Sequence, residues 1–410
     1  MKKISILTVL LLLVLVIAAP AFAVEFRVGG TDLNVGGSAR LDAGWQYNDK
    51  GDVGSGEAGT NTKMFVTIPS DTNLYLRAKN GNLLGYLELG LSNSHLNVYN
   101  SSPNYPQDKG AVRLRYAYGQ YAFNVNNEIL IGQSDCLFSQ LTPKQYLYDD
   151  NGMQGFGVVM SDRYPQIRYT YRQNRIVAQV AIQQAAENNQ EDFKLYPTDL
   201  DLGNLYEANE ILPAIVGSLT YKINNDISII PNLYFQYYKL KADSSLVSDD
   251  IDVTTFGLCV NADARINMVE LTGGIWWGVN LGIFGNDKRF NLSEDSPVFG
   301  APVGNHYADG TLSTGIKNNQ SFGGWAQAAM NAGPGLLRLG IGGQRAQTGV
   351  TDHGYTEHIY TWGMFANYTY MLVKNFSLAP EIVFMNNGYD VDRSNLGNTT
   401  LVGVHFQYDF

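Results

Sequence analysis

Leu401-Val402-Gly403-Val404-His405-Phe406-Gln407-Tyr408-Asp409-Phe410 alternates apolar and polar side chains down to a terminal phenylalanine. In an extended chain Val402, Val404, Phe406, Tyr408 and Phe410 share one face, and Gly403, His405, Gln407 and Asp409 share the other. An apolar face that ends in aromatic rings suits a strand whose outer side meets lipid and whose rings sit at the membrane interface. The same alternation recurs upstream. Ala39, Leu41, Ala43, Trp45 and Tyr47 oppose Arg40, Asp42, Gly44 and Gln46; Val112, Leu114, Tyr116 and Tyr118 oppose Arg113, Arg115, Ala117 and Gly119. Leu337, Leu339 and Ile341 oppose Arg338, Gly340 and Gly342, and Tyr360, Trp362, Met364, Ala366 and Tyr368 form a further outer face.

Such runs predict strands over 36–48, 72–79, 83–92, 111–123, 127–135, 164–173, 176–184, 213–222, 227–240, 251–262, 267–282, 320–331, 336–346, 357–371, 376–387 and 398–410. The spacers sort into two kinds. Asn80-Gly81-Asn82, Asn174-Arg175, Asn224-Asn225-Asp226, Ala332-Gly333-Pro334-Gly335 and Lys374-Asn375 have tight-turn chemistry. They alternate with long polar segments at 49–71, 93–110, 136–163, 185–212, 241–250, 283–319, 347–356 and 388–397. The fold expected is therefore all-β: a 16-stranded antiparallel transmembrane β-barrel over 36–410, with short periplasmic turns and long external loops. A β-propeller would repeat every ~40–50 residues with a recurring signature, which is missing here. A β-sandwich has no need of long loops gathered at one end.

The first residues fix the compartment. Two lysines in Met1–Lys3, the apolar run 4–18 and the small-residue site Ala21-Phe22-Ala23 read as a signal peptide over 1–23. Its removal takes away two lysines, so a net charge of −10 becomes −12, and 24–35 is left as a short periplasmic segment ahead of the barrel. The expected location is the bacterial outer membrane, with membrane lipid, lipopolysaccharide included, as a partner. An acidic chain argues against nucleic acid, which selects basic faces. Two cysteines, Cys136 and Cys259, exclude a disulfide-stapled domain, and their number alone does not decide whether they pair.

Sixteen strands enclose a water-filled lumen. By parity Arg40, Arg77, Arg113, Arg115, Arg168, Arg172 and Arg338 point into it, with Lys79 and Lys222. Four of these arginines lie on the first four strands and two on the sixth, giving one basic wall. Asp42, Glu88, Glu270 and Glu381 are the inward acids. The segment 136–163 holds more apolar residues than an exposed loop needs and is the candidate for folding into the lumen. It would carry Asp149 and Asp150 to the constriction, the alternatives being a lid over the mouth or a subunit contact. A basic wall facing carboxylates across a narrow gap sets ion preference, and the planar guanidinium fork suits carboxylates. The competing reading is that the charges neutralise one another. Inward tyrosines such as Tyr75, Tyr86 and Tyr234 serve either as wall packing or as a slide for sugars.

No nucleophile elbow accompanies the five histidines, and His353 and His358 have poor metal spacing, so neither an enzyme nor a metal or other cofactor site is expected. The function that follows is a passive diffusion channel for small hydrophilic solutes, with small anions as partners. The alternatives are a non-selective or cation-favouring channel and a structural or adhesive barrel.

The run Ala111-Val112-Arg113-Leu114-Arg115-Tyr116-Ala117-Tyr118-Gly119-Gln120, then Ile129-Leu130-Ile131-Gly132-Gln133-Ser134 and Phe138, and then Arg163-Tyr164-Pro165-Gln166-Ile167-Arg168-Tyr169-Thr170, resembles the DcaP-like outer-membrane porins. It covers about a fifth of the chain, in the first half of the barrel. The resemblance implies a trimer of sixteen-stranded barrels permeable to small, often dicarboxylic anions, with solute-facing roles for Arg113, Arg115 and Arg168. Some members carry a periplasmic coiled coil before the barrel, where this chain has Val24 to Val35.

Overall fold

The computed structural model describes residues 24–49, 60–92, 111–147, 152–159, 163–184, 206–209, 212–242, 251–281, 303–306, 312–317, 320–347, 358–388 and 397–410. Sixteen strands form the wall. The first eight are β1 (Thr31–Asn48), β2 (in two pieces, Asn61–Thr67 and Asn73–Asn80), β3 (Leu83–Ser92), β4 (Ala111–Ala122), β5 (Asn127–Asp135), β6 (Arg163–Gln173), β7 (Ile176–Gln183) and β8 (Ala214–Lys222). The other eight are β9 (Ile227–Ala242), β10 (Ile251–Ile266), β11 (Val269–Val279), β12 (Gln320–Ala332), β13 (Gly335–Gln347), β14 (His358–Val373), β15 (Phe376–Asn386) and β16 (Asn398–Asp409). Each pairs antiparallel with its sequence neighbours, and β16 returns to β1 through Ser38↔Asp409 to Asn48↔Thr399. Gly37 and Phe410 exchange both backbone hydrogen bonds at the seam. Closure satisfies the ladder groups that an open sheet would leave unpaired, which hydrocarbon does not tolerate.

The expected wall is present: sixteen strands, all antiparallel, closed on themselves. Parity sorts it inside out relative to a water-soluble protein. Met64, Val112 and Ile275 are each 68% exposed on the outside. Inside, Asp42, Thr255 and Asn261 are fully buried. Trp45, Tyr47, Tyr121, Tyr169, Trp277, Tyr360 and Trp362 are exposed on the outer surface, the aromatic complement of a lipid-facing belt. This is a membrane barrel of the outer-membrane type.

The expected boundaries hold for most strands and shift where pattern is weak. The tight turn after β10 is Asn267-Met268, with Asn267 in the left-handed region, so β10 runs four residues longer than its period suggested. Residues 61–67, expected in a loop, are strand: Met64 and Val66 face out, and Phe65 and Thr67 face in. Residues 24–28 pair with 31–35 in a hairpin below the β1–β16 seam. Short strands also occur at Tyr206–Asn209, Val303–His306 and Leu312–Lys317, within segments expected to be loop.

One correction concerns which way two tyrosines face. The β3–β4 register shifts between Glu88 and Leu89, which oppose Tyr116 and Leu114, so Arg115 is the extra residue of a β-bulge. Gln133 on β5 donates to the freed carbonyls of Leu114 (2.8 Å) and Arg115 (3.2 Å). Beyond the bulge the alternation inverts. Tyr116 and Tyr118, expected on the lipid side, stand with Glu88 and Tyr86 on the lumen side.

Candidate functional site: the pore interior

Two pieces of chain occupy the inner face. The first follows β5. Cys136, Leu137 and Phe138 pack with Val159 on Ala181, Val216, Tyr234, Cys259 and Trp276 of β7–β11. Leu147, Met153, Phe156 and Val158 pack on Phe65, Trp325, Phe365, Val383, Met385 and Leu401. Inward apolar residues, improper in a wet lumen, are here the seat of this segment. Its backbone approaches the wall closely. A Cβ on Gly342 would lie 2.4 Å from the Phe156 carbonyl oxygen, and one on Gly157, itself at φ +112°, would lie 2.3 Å from that of Gly324. Only glycine permits that approach.

Polar contacts fix the segment's orientation. The Trp276 indole donates to the Gly157 carbonyl (2.9 Å) and the Thr361 hydroxyl to that of Gly155 (2.6 Å). The Gln327 side chain accepts from the Lys144 amide (2.7 Å). The Glu381 carboxylate accepts from the amides of Tyr146 (3.1 Å) and Leu147 (2.5 Å) and from Asn367 (2.8 Å). The Tyr146 ring stacks on His405 with centroids 4.4 Å apart, and His405 Nδ1 lies 2.6 Å from Asp42. Arg338 reaches the Thr369 hydroxyl (2.7 Å) and the Tyr146 hydroxyl (3.2 Å).

The second piece is the break in β2. Thr67 pairs with Asp42 and Asn73 with Ser38, so five residues, 68–72, span what three residues of β1 span opposite. The excess bends inward. A Cβ on inward-facing Gly90 would lie 3.2 Å from the Ser70 carbonyl oxygen. Two guanidiniums converge on Asp71: Arg40 at 3.2 Å and Arg115 at 2.5 Å. Arg115 also donates to the Ser70 carbonyl (3.0 Å) and to Glu88 (2.7 Å), and Glu88 accepts the Tyr86 hydroxyl (2.6 Å). Tyr86 stacks between Tyr75 (5.9 Å) and Tyr118 (5.5 Å). Below this break a cavity of about 500 Å³ is lined by Arg40, Tyr75, Glu88, Lys374 and Asp409 among others.

The seven expected lumen arginines thus separate by environment. Arg40 and Arg115 share Asp71, and Arg172 pairs with Glu128 at 2.5 Å. Arg168 donates to Gln166 (3.0 Å) and to the Asp135 carbonyl, and Arg338 bonds only neutral groups among the described residues. Arg77 and Arg113 are exposed and have no ion pair among the described residues. Asp149 and Asp150 lie outside the described residues, as do His95 and His353, and His306 ends the short strand Val303–His306. Tyr234 is fully buried against Phe138, so it is wall packing. Cys136 and Cys259 are free thiols buried in one cluster. The residue that the pattern missed is Asp71; its one signal was Pro69, a residue that cannot donate to a ladder, in an otherwise strand-like stretch.

No family model matches the chain, and no curated protein matches it. Its fold is shared by solved structures of an outer-membrane channel, a porin and a further outer-membrane protein. The outer-membrane channel DcaP of Acinetobacter baumannii superimposes with a TM-score of 0.64 at 20% identity, covering 94% of this chain and 99% of that one. The anion-selective porin of Comamonas acidovorans gives 0.57 at 12% identity, over 93% and 100% of the two chains. OmpT of Vibrio cholerae gives 0.55 at 9% identity, over 94% and 100%.

Proposed function

We propose that the protein is a passive diffusion porin of the bacterial outer membrane, not an enzyme, with a preference for small organic anions such as dicarboxylates. It is exported by residues 1–23, and it works as a homotrimer in lipopolysaccharide-containing membrane. The segment 136–163 narrows the pore. One observation carries the anion preference: Arg77 and Arg113 stand exposed, without an ion pair among the described residues, on the wall from the Asn73–Asn80 piece of β2 to β6, while the described part of the segment after β5 covers the wall from β7 round to the Asn61–Thr67 piece of β2. Fixed guanidiniums beside a narrowed gap attract anions and repel cations before any contact is made. Arg168 adds to the same wall. Among solved structures of this fold, one is described as an anion-selective porin and another, an outer-membrane protein, as a trimer, and both support the reading.

The zero-current potential of the purified protein in a planar bilayer under a salt gradient tests it. An anion-favouring sign is expected, and dicarboxylates should then reduce the current carried by chloride. A second reading rests on the pairing of Arg40 and Arg115 with Asp71 and Glu88, which cancels half of the inward guanidinium charge on β1–β4. A potential near zero or of the opposite sign would favour that general channel. A protein that inserts and never conducts would overturn the channel reading.

A further inference from the structure

We infer that Asp71 is the residue that sets the strength of the pore's ion preference, and that the five-residue break in β2 is a second inward projection at the level of the constriction. This deepens the porin reading and rests on it. The break stands level with the segment and only two strands from it along the wall. Asp42 pairs with Thr67, where the break begins, and also with His405, on which Tyr146 is stacked. Tyr146 over β16 and Ser70 and Asp71 on β2 therefore project into the lumen at one level, on either flank of β1.

The charge balance of the break depends on one residue that the register carries inward. Two guanidiniums from different strands, Arg40 on β1 and Arg115 on β4, meet a single carboxylate carried between them. With Glu88 the group holds two cations and two anions, so it contributes no net charge to the lumen. Both guanidiniums are also held in place by neutral acceptors, Ser38 for Arg40 (3.0 Å) and the Ser70 carbonyl for Arg115 (3.0 Å). Loss of the Asp71 charge leaves them positioned at the lumen surface as an uncompensated cation. The side chain of Asp71 is itself 31% exposed, so solutes and ions at the constriction sense its state. Asp71 acts through these arginines and is a specificity-determining residue.

The test is Asp71→Asn, with Asp71→Glu as the charge-preserving control, each measured as reversal potential under a potassium chloride gradient. Folding is checked by heat-modifiable migration. Asp71→Asn should raise the chloride-over-potassium permeability ratio by about two- to threefold above wild type, and Asp71→Glu should stay near wild type. Adding Arg40→Gln to Asp71→Asn should bring the ratio back. If Asp71→Asn does not fold, Glu88→Gln changes the same sum and should shift the ratio in the same direction. A wild type that conducts with Asp71→Asn and Glu88→Gln unmoved overturns this assignment alone. A wild type that never conducts overturns the porin reading and this inference with it.

Discussion

The inner wall from the Asn73–Asn80 piece of β2 to β6 and the inner wall from β7 round to the Asn61–Thr67 piece of β2 are built from the same alternation, yet they end in opposite states. The first keeps Arg77 and Arg113 exposed, with a tyrosine ladder from Tyr75 to Tyr118. The second is paved with Val216, Trp276, Trp325, Phe365, Val383 and other apolar groups and buried beneath the chain's own segment. A lumen residue facing water gains nothing from being apolar, so an apolar inner wall implies a cover. A charged inner wall implies that it stays wet, because uncompensated charge is costly to bury. Which wall the inward segment takes is therefore written in the wall itself.

The sharpest way to break the comparison is to expel the cover. Gly342→Val puts a branched side chain where the Phe156 carbonyl lies, 2.4 Å from the position of a Cβ. Overpacking at such a contact costs about 1–3 kcal/mol, and here the docked segment yields more easily than the closed wall. Single-channel conductance should rise severalfold and protease should gain access to 152–159, with the heat-modifiable barrel retained. Unchanged conductance would mean that the segment does not narrow the path.

Next in size is the contrast between neighbouring arginines on the charged wall. Arg115→Ala removes the partner of two carboxylates and should destabilise the barrel by about 3–5 kcal/mol, because half-buried charges lose their compensation. Arg113 has no ion pair among the described residues, and Arg113→Ala should change stability by about 0.5 kcal/mol or less. Selectivity should respond the other way round for a given loss of stability. Arg113→Ala lowers the chloride-over-potassium ratio about twofold in an intact barrel. Denaturant unfolding in detergent and reversal potentials separate the two effects, and equal stability losses would erase the distinction between a structural and a solute-facing arginine.

The barrel was legible in the sequence because lipid imposes period two on every strand and leaves the turns their Asn, Gly and Pro chemistry. The inward arginines were read from the same parity, which does not tell a paired guanidinium from one left exposed. What parity hides are the places where it breaks. At β2 the strand over 61–67 is followed by Ile68-Pro69, and the extra residues that carry Asp71 look like loop sequence until the pairing of both halves with β1 is seen. On β4 nothing in Arg113-Leu114-Arg115-Tyr116-Ala117-Tyr118 marks where the alternation inverts, since tyrosine suits either face. On β12 and β13 the glycines that admit the inward segment read as ordinary strand glycines, because the backbone they receive lies far away in sequence.

The smallest expected effect probes the bulge that divides the two readings of β4. Gln133 supplies two hydrogen bonds to the carbonyls of Leu114 and Arg115, and Gln133→Ala removes both. Each such bond contributes about 1 kcal/mol net, so the barrel should lose about 1–2 kcal/mol in denaturant unfolding. Ion selectivity should stay at the wild-type value, because the extra residue is imposed by the register on both sides of it: Leu89 with Leu114 above, and Glu88 with Tyr116 below. Moving Arg115 out of the lumen would require a one-residue slip, and a slip would send Tyr118 and Gln120 into the lipid along with it. A shift in selectivity without loss of the barrel would show that the side chain of Gln133, not the register, holds Arg115 against Asp71, and the charged wall would then be adjustable where the buried one is not.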